Sequence, residues 1–216
     1  MFSVIIPAFD EERTIGEVVR SVVGIPGSEL IVVDDGSRDA TSEVARRAGA
    51  RVVRLERNTG KGRAVDVGVR EARHDILVLL DADVRGMDEA KVRALVRPVE
   101  EGAVMCIGVR YASFAYLNRG LRWLPIVAKL SGQRCLERAL WEAARAHCRG
   151  YGVESALNYF ASRLGEITYV HLTGLEHTIK ERKRGVLEGI RQRLKMIGNV
   201  LTATVAVRLG RGDPPR

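Results

Sequence analysis

Strand-like apolar runs at residues 3–6, 29–33, 51–55 and 75–80 alternate with three segments whose apolar positions recur every three or four residues. This alternation is the tightest constraint on the fold. Strands separated by helices of about ten residues must cross over, which gives βαβ units, a mainly parallel sheet and right-handed connections. The run at 76–80 is uninterrupted by polar residues, as expected of a strand covered on both faces. Further along, 88–101 has helical spacing, 103–109 reads as a strand, 133–147 and 153–164 read as helices, and 167–171 reads as a late strand.

Each early run ends in polar residues. The first leads to Pro7-Ala8-Phe9-Asp10-Glu11, the second to Asp34-Asp35-Gly36-Ser37, the third to Asn58-Thr59-Gly60-Lys61-Gly62, and the fourth to Asp81-Ala82-Asp83. In a parallel sheet these four ends share the carboxyl edge, where open α/β folds bind ligands. The mixture suits a nucleotide diphosphate. Carboxylates accept from ribose hydroxyls or a base N–H, and Lys61 with adjacent amides offsets phosphate charge. Asp81 and Asp83 flank a small residue and can face one hard cation, Mg²⁺ or Mn²⁺, shared with substrate phosphates.

Composition narrows the class. The chain has 216 residues and 46% hydrophobic content, enough for one large domain with a sizeable core. Residues 1–7 carry no basic leader, and no apolar run approaches the roughly 20 residues of a spanning helix. Cys106, Cys135 and Cys148 are scattered without metal-type spacing and are expected to be free thiols in a reducing cytosol. Of the net charge of +8, residues 178–216 supply +7, so a nearly neutral body carries a basic carboxyl-terminal segment.

The four strand ends strongly resemble those of family-2 glycosyltransferases of the GT-A fold. Their Pro-x-Tyr-Asn-Glu appears as Pro7 to Glu11, their Val-Asp-Asp-Gly-Ser as Val33 to Ser37, their Asn-x-Gly-Lys-Gly as Asn58 to Gly62, and their Asp-x-Asp as Asp81 to Asp83. The resemblance implies a Rossmann-like α/β sheet flanked by helices, with a donor half at 1–109 and an acceptor half at 110–177. It implies that Pro7, Ala8, Phe9, Glu11, Asp34 and Asp35 line the nucleoside site, with Lys61, Asp81, Ala82 and Asp83 at the sugar and diphosphate. Phe9 lacks the tyrosine hydroxyl but can still stack on a base. Arg85 stands where polyprenyl-phosphate mannose synthases carry a metal-contacting Gln, and it cannot ligate a metal.

The second half, with Leu130-Ser131-Gly132-Gln133-Arg134, Gly150-Tyr151-Gly152-Val153-Glu154 and Gly174-Leu175-Glu176-His177, is similar to glucosyl-3-phosphoglycerate synthases. On that resemblance Glu154 is the base or orienting carboxylate for the acceptor hydroxyl, which needs one within hydrogen-bond reach. His177 is a further metal ligand beside Asp81 and Asp83, and Gly132, Arg134 and Tyr151 contact the acceptor. The aromatic stretch 110–125 has two readings, subdomain packing or an acceptor-side lid.

The implied activity is transfer of a hexose from a nucleotide-diphospho-sugar, UDP-sugar first and GDP-mannose second, to a small anionic or lipid-linked acceptor. Rivals are a silent sugar-nucleotide-binding relative and a nucleotidyltransferase. A dehydrogenase is disfavoured because no Gly-x-Gly-x-x-Gly follows the first strand. In the basic segment, Leu187, Ile190, Leu194, Ile197 and Leu201 form one apolar stripe. That stripe fits packing on the body, a homodimer contact, or an anionic membrane surface that would make a cytoplasmic enzyme peripheral. Nucleic acid is not expected, since no aromatics interleave with the basic residues. Residues 210–216 read as a disordered tail.

Overall fold

The computed structural model of the protein describes residues 1–109, 131–148 and 152–177. β1 (Phe2–Ala8), α1 (Ile15–Val22), β2 (Ser28–Asp34), α2 (Thr41–Arg47), β3 (Arg51–Arg54), α3 (Lys61–Glu71) and β4 (Ile76–Leu79) follow one another as the alternation requires. They are followed by β5 (Val84–Arg85), α4 (Glu89–Glu100), β6 (Met105–Val109), β7 (Arg134–Glu137), α5 (Arg138–Ala144), α6 (Val153–Leu164), β8 (Ile167–His171) and β9 (Glu176–His177). Among the described residues one sheet has the order β3-β2-β1-β4-β7-β6-β8, and β5 pairs with β9 separately.

The central strands are apolar on both faces because helices cover both. From β1, Val4 and Ile6 enter a core shared with Val18 and Val22 of α1 and Val92 and Leu95 of α4. Ile5 points the other way, into a core built from Val65 and Val69 of α3, Trp141 of α5 and Leu157 and Phe160 of α6. Each such side chain contributes about 1.5–3 kcal/mol when fully buried. The result is the expected three-layer α/β arrangement.

One segment departs from the sequence reading. Residues 134–137 form a strand, not the start of a helix, and this strand runs antiparallel to both β4 and β6. Arg134, Cys135 and Leu136 are buried between those neighbours. A short strand covered on both faces shows no alternation. Its apolar residues also continue into Leu140 and Trp141 at helical spacing, which extended the helical reading too far. The helix proper begins at Arg138.

Candidate active site

The parallel register aligns the carboxyl ends of the first four strands. Ala8 pairs with Asp34, Asp34 with Arg54, and Ile5 with Leu79. Beyond the ladders, the Asp35 amide donates to the Ala8 carbonyl at 2.8 Å and the Leu80 amide donates to the Ile5 carbonyl at 3.1 Å. The loops that follow therefore open on one rim, as the sequence predicts.

On that rim the two aspartates of the second loop hold the loops themselves. Asp35 is buried, and its Oδ1 accepts from the Thr59 amide and the Thr59 hydroxyl, both at 2.8 Å, while Oδ2 accepts from the Gly60 amide at 2.7 Å. Asp34 is buried too. It accepts from the Ser37 amide at 2.8 Å and from the Ser42 hydroxyl, with the Arg54 guanidinium 3.9 Å away. Both carboxylates thus brace the loops of this rim. Glu11 accepts from the Thr14 hydroxyl at 2.7 Å. Ala8 is buried, and Pro7 and Phe9 are half-buried beside it. Asp10 is a non-glycine residue at φ 54°, held there by its amide donating to the Ser37 hydroxyl and by Arg38 N–H donating to its Oδ1.

A cluster of charged side chains lies where α3, β4, β7 and α6 meet. Lys61, the first residue of α3, directs its ammonium at two carboxylates: Nζ is 2.8 Å from Asp81 Oδ1 and 2.7 Å from Glu154 Oε1. Burial alone would lower the Lys61 pKa, but the charges and hydrogen bonds of Asp81 and Glu154 outweigh it and raise the group above its ordinary value. The approach of α3 to this corner depends on Gly62, where a Cβ would sit 1.7 Å from the Cys148 carbonyl oxygen. Lys61 thus joins Asp81, after β4, to Glu154 of α6.

Asp81 has a further set of partners. Gln133 Nε2 donates to its Oδ2 at 3.0 Å, and Gly132 lies so close that a Cβ there would stand 2.1 Å from the same oxygen. The sequence reading assigned Gln133 no role, because the buried strand that follows it was read as helix. Arg134 is 1% exposed, with Nε donating to the Ser131 carbonyl at 2.7 Å and Nη1 to Asn158 Oδ1 at 2.8 Å. Burial pushes its guanidinium below the ordinary value, against the pull of Glu154 and Asp81. Arg134 is thus a buried cation whose guanidinium is anchored to Ser131 and Asn158, because its strand lies inside the sheet.

Asp83 is 8% exposed and Ala82 is buried. The antiparallel pair β5–β9 sets Val84, the residue after Asp83, in register with His177. The backbone thus brings His177 alongside the second aspartate. Asp83 brings a carboxylate to this place, a donor of the kind that Mg²⁺ or Mn²⁺ accepts. Asp81 already has a donor on each oxygen. Arg85 pairs with Glu17, Nε to Oε2 at 3.3 Å. Tyr151, the aromatic stretch at 110–125 and the basic segment from 178 onward lie outside the described residues.

The same fold recurs in known proteins. The family profile described as Glycosyl transferase family 2 matches residues 3–160. The chain is 28% identical over 210 residues to the undecaprenyl-phosphate 4-deoxy-4-formamido-L-arabinose transferase of Edwardsiella ictaluri, covering 86% of this chain and 63% of that protein. It is 40% identical over 110 residues to the glucosyl-3-phosphoglycerate synthase of Mycolicibacterium paratuberculosis, covering 46% of this chain and 33% of that protein. It thus spans a third to about two thirds of the length of these relatives. Among solved structures it resembles the glucosyl-3-phosphoglycerate synthase of Mycobacterium tuberculosis in complex with Mn²⁺, UDP and phosphoglyceric acid, with TM-score 0.75 and 28% identity over 94% of this chain and 78% of that one. With the strand-end motifs on one rim and a profile that runs from the first strand into the sixth helix, the chain belongs to glycosyl transferase family 2.

Proposed function

We propose that this chain transfers a hexose from a nucleotide-diphospho-sugar, a UDP-sugar in the first instance, to a hydroxyl or phosphate of a small anionic or lipid-linked acceptor. The observation that carries the reading is the joining of Asp81 and Glu154 through Lys61 on the same rim as Asp83. The UDP and Mn²⁺ complex of the mycobacterial synthase supports the donor and the cofactor. Its phosphoglyceric acid supports a small anionic acceptor, and the undecaprenyl-phosphate transferase supports a lipid-linked one.

In this reading Pro7, Phe9 and Glu11 border the nucleoside, and the Asp35-held turn at Thr59 and Gly60 shapes the floor beneath it. Asp83 and His177 would hold Mg²⁺ or Mn²⁺, which offsets negative charge on the departing diphosphate. Lys61 supplies positive charge at the same developing oxyanion. Glu154, held beside Lys61, orients the acceptor hydroxyl or takes its proton. Among the described residues no helix is long and apolar enough to cross a membrane.

The deciding experiment is release of nucleoside diphosphate from UDP-glucose and GDP-mannose with Mn²⁺, by wild type and by folded Asp83→Ala. The expected result is turnover of one donor that is lost in the variant. A binder without chemistry would show a thermal shift with UDP and Mn²⁺ but no turnover. Neither shift nor turnover with any UDP-, GDP- or dTDP-sugar would overturn the reading.

A further inference from the structure

We propose that Gln133 is a positioning residue: its side-chain amide fixes the Asp81 carboxylate, and through it keeps the Lys61 ammonium between Asp81 and Glu154. The inference rests on the transferase reading only in its kinetic consequences.

The geometry is directional. Gln133 is 1% exposed, and its Oε1 accepts from the Ser131 hydroxyl at 2.9 Å. That bond orients the amide so that Nε2 faces Asp81 Oδ2, at 3.0 Å. The reverse orientation would set the carbonyl oxygen against a carboxylate and leave the Ser131 hydroxyl without its acceptor. Gly132 completes the cradle, because its missing Cβ gives Asp81 Oδ2 its space. The turn is delivered to this place by β7, whose first residue Arg134 pairs with Leu79 of β4 two residues before Asp81.

With Oδ2 committed to Gln133, the other oxygen presents itself to Lys61, and Lys61 in turn reaches Glu154. Without the amide, the Asp81 carboxylate is free to turn about its terminal torsion, which is broad for this side chain. Lys61 would lose one of two fixed partners. Gln133 does not touch any of the groups proposed to meet the donor except through Asp81, so its effect belongs to the chemical step more than to nucleotide binding.

The test uses the full chain with Gln133→Leu, Gln133→Glu and Ser131→Ala, each checked for native unfolding behaviour. Gln133→Leu removes the donor at similar size. Gln133→Glu keeps the shape and replaces the donor by an acceptor. The expected kinetic result is a fall in kcat of about 10- to 100-fold for Gln133→Leu, the range for losing a group that orients a functional side chain. Gln133→Glu should fall at least as far despite its near-identical shape, and Ser131→Ala by less. Donor KM should change by under about threefold in each.

An activity-independent readout is the ¹⁵Nζ cross-peak of Lys61, assigned by its loss in Lys61→Met. It should broaden or move in Gln133→Leu. If the Lys61 signal and kcat of Gln133→Leu match wild type, the proposal is wrong, and so it is if Gln133→Glu retains full activity. If wild type turns over no nucleotide-sugar, the transferase reading falls, and the Lys61 signal alone decides the role of Gln133. Should Gln133→Leu fail to fold, Gln133→Glu and Ser131→Ala carry the same comparison.

Discussion

Asp81, after β4, and Glu154, in the first turn of α6, share one ammonium: Lys61 Nζ is 2.8 Å from the first and 2.7 Å from the second. Removing the cation leaves two carboxylates facing each other across a partly buried corner. Lys61→Met is therefore expected to lower kcat/KM for the donor by about 10²- to 10³-fold, as for loss of a preorganised charge at a developing oxyanion. The stability effect has a defined pH window. The folded-state pKa of Lys61 is raised, so its contribution is complete below the unfolded lysine value of about 10.4 and is lost as pH rises through the higher folded value. Urea titrations should show a constant deficit for Lys61→Met from pH 6 to 9 that shrinks only above about pH 10. A deficit that vanishes at neutral pH would contradict the ion-pair assignment.

Asp35 supplies three acceptor contacts to the turn before α3, from the Thr59 amide, the Thr59 hydroxyl and the Gly60 amide. Asp35→Asn replaces one of its oxygens by a donor aimed at N–H or O–H groups. The expected cost is about 1–3 kcal/mol in urea unfolding, with faster amide exchange at Thr59 and Gly60. Unchanged exchange at those amides would mean that the turn is held by something else.

Arg138 closes the far end of the same helix. Nη1 donates to the Val69 carbonyl at 2.6 Å, and Nη2 to the Ala72 and His74 carbonyls, both at 2.8 Å. These are carbonyls at and beyond the end of α3 that the helix cannot satisfy itself. Arg138→Met should destabilise by about 2–3 kcal/mol without altering donor KM, because the site lies at the opposite end of α3. A loss of donor affinity in this variant would argue against that separation.

At the amino edge of the sheet, burial alone would raise the Glu29 carboxyl. The Arg73 amide, the Ser3 hydroxyl and the neighbouring His74 and Arg73 charges together hold it below its ordinary value. Its contribution to stability is therefore present above the unfolded glutamate value of about 4.3 and is lost as pH falls through the lower folded value. Glu29→Gln should flatten the acid limb of the stability curve below about pH 4.3. An unchanged acid limb would show that Glu29 has no part in it.

Cys106, Cys135 and Cys148 are free and buried. Burial pushes the thiols of Cys106 and Cys148 up to about 12, and that of Cys135 well above its ordinary value. Thiolate, the reactive form, is accordingly scarce at neutral pH. Native protein at pH 8 should resist a thiol reagent such as DTNB, whereas all three sites should react in guanidinium. Rapid labelling of the native protein would contradict the burial of these side chains.

Local signals were legible in the sequence, and cross-chain ones were not. The helix at Val153–Leu164 could be read because Gly152 and Gly165 bound it, and β4 because its apolar run ends sharply at an aspartate. The acidic ends of the first strands could be placed on one rim from alternation alone. That Asp34 and Asp35 also brace the loops there could not be read, since a carboxylate that closes a turn has no signature of its own in sequence. The strand at Arg134–Glu137 was hidden by its burial on both faces, and Gln133 was hidden with it. The pairing of Lys61 with Glu154 had no local signature at all.

That pairing spans 93 positions, and the contact of Gln133 with Asp81 spans 52. Contacts this distant cannot form until a large loop has closed, so they come after the neighbouring βαβ pairings. During synthesis the carboxylates of the first strands leave the ribosome well before the residues that tether Asp81. The reversed strand β7, slotted between β4 and β6, is therefore a late key but not the last: a nascent chain can assemble the platform early, yet Asp81 meets Gln133 only when that strand inserts, and Lys61 meets Glu154 only after α6 docks.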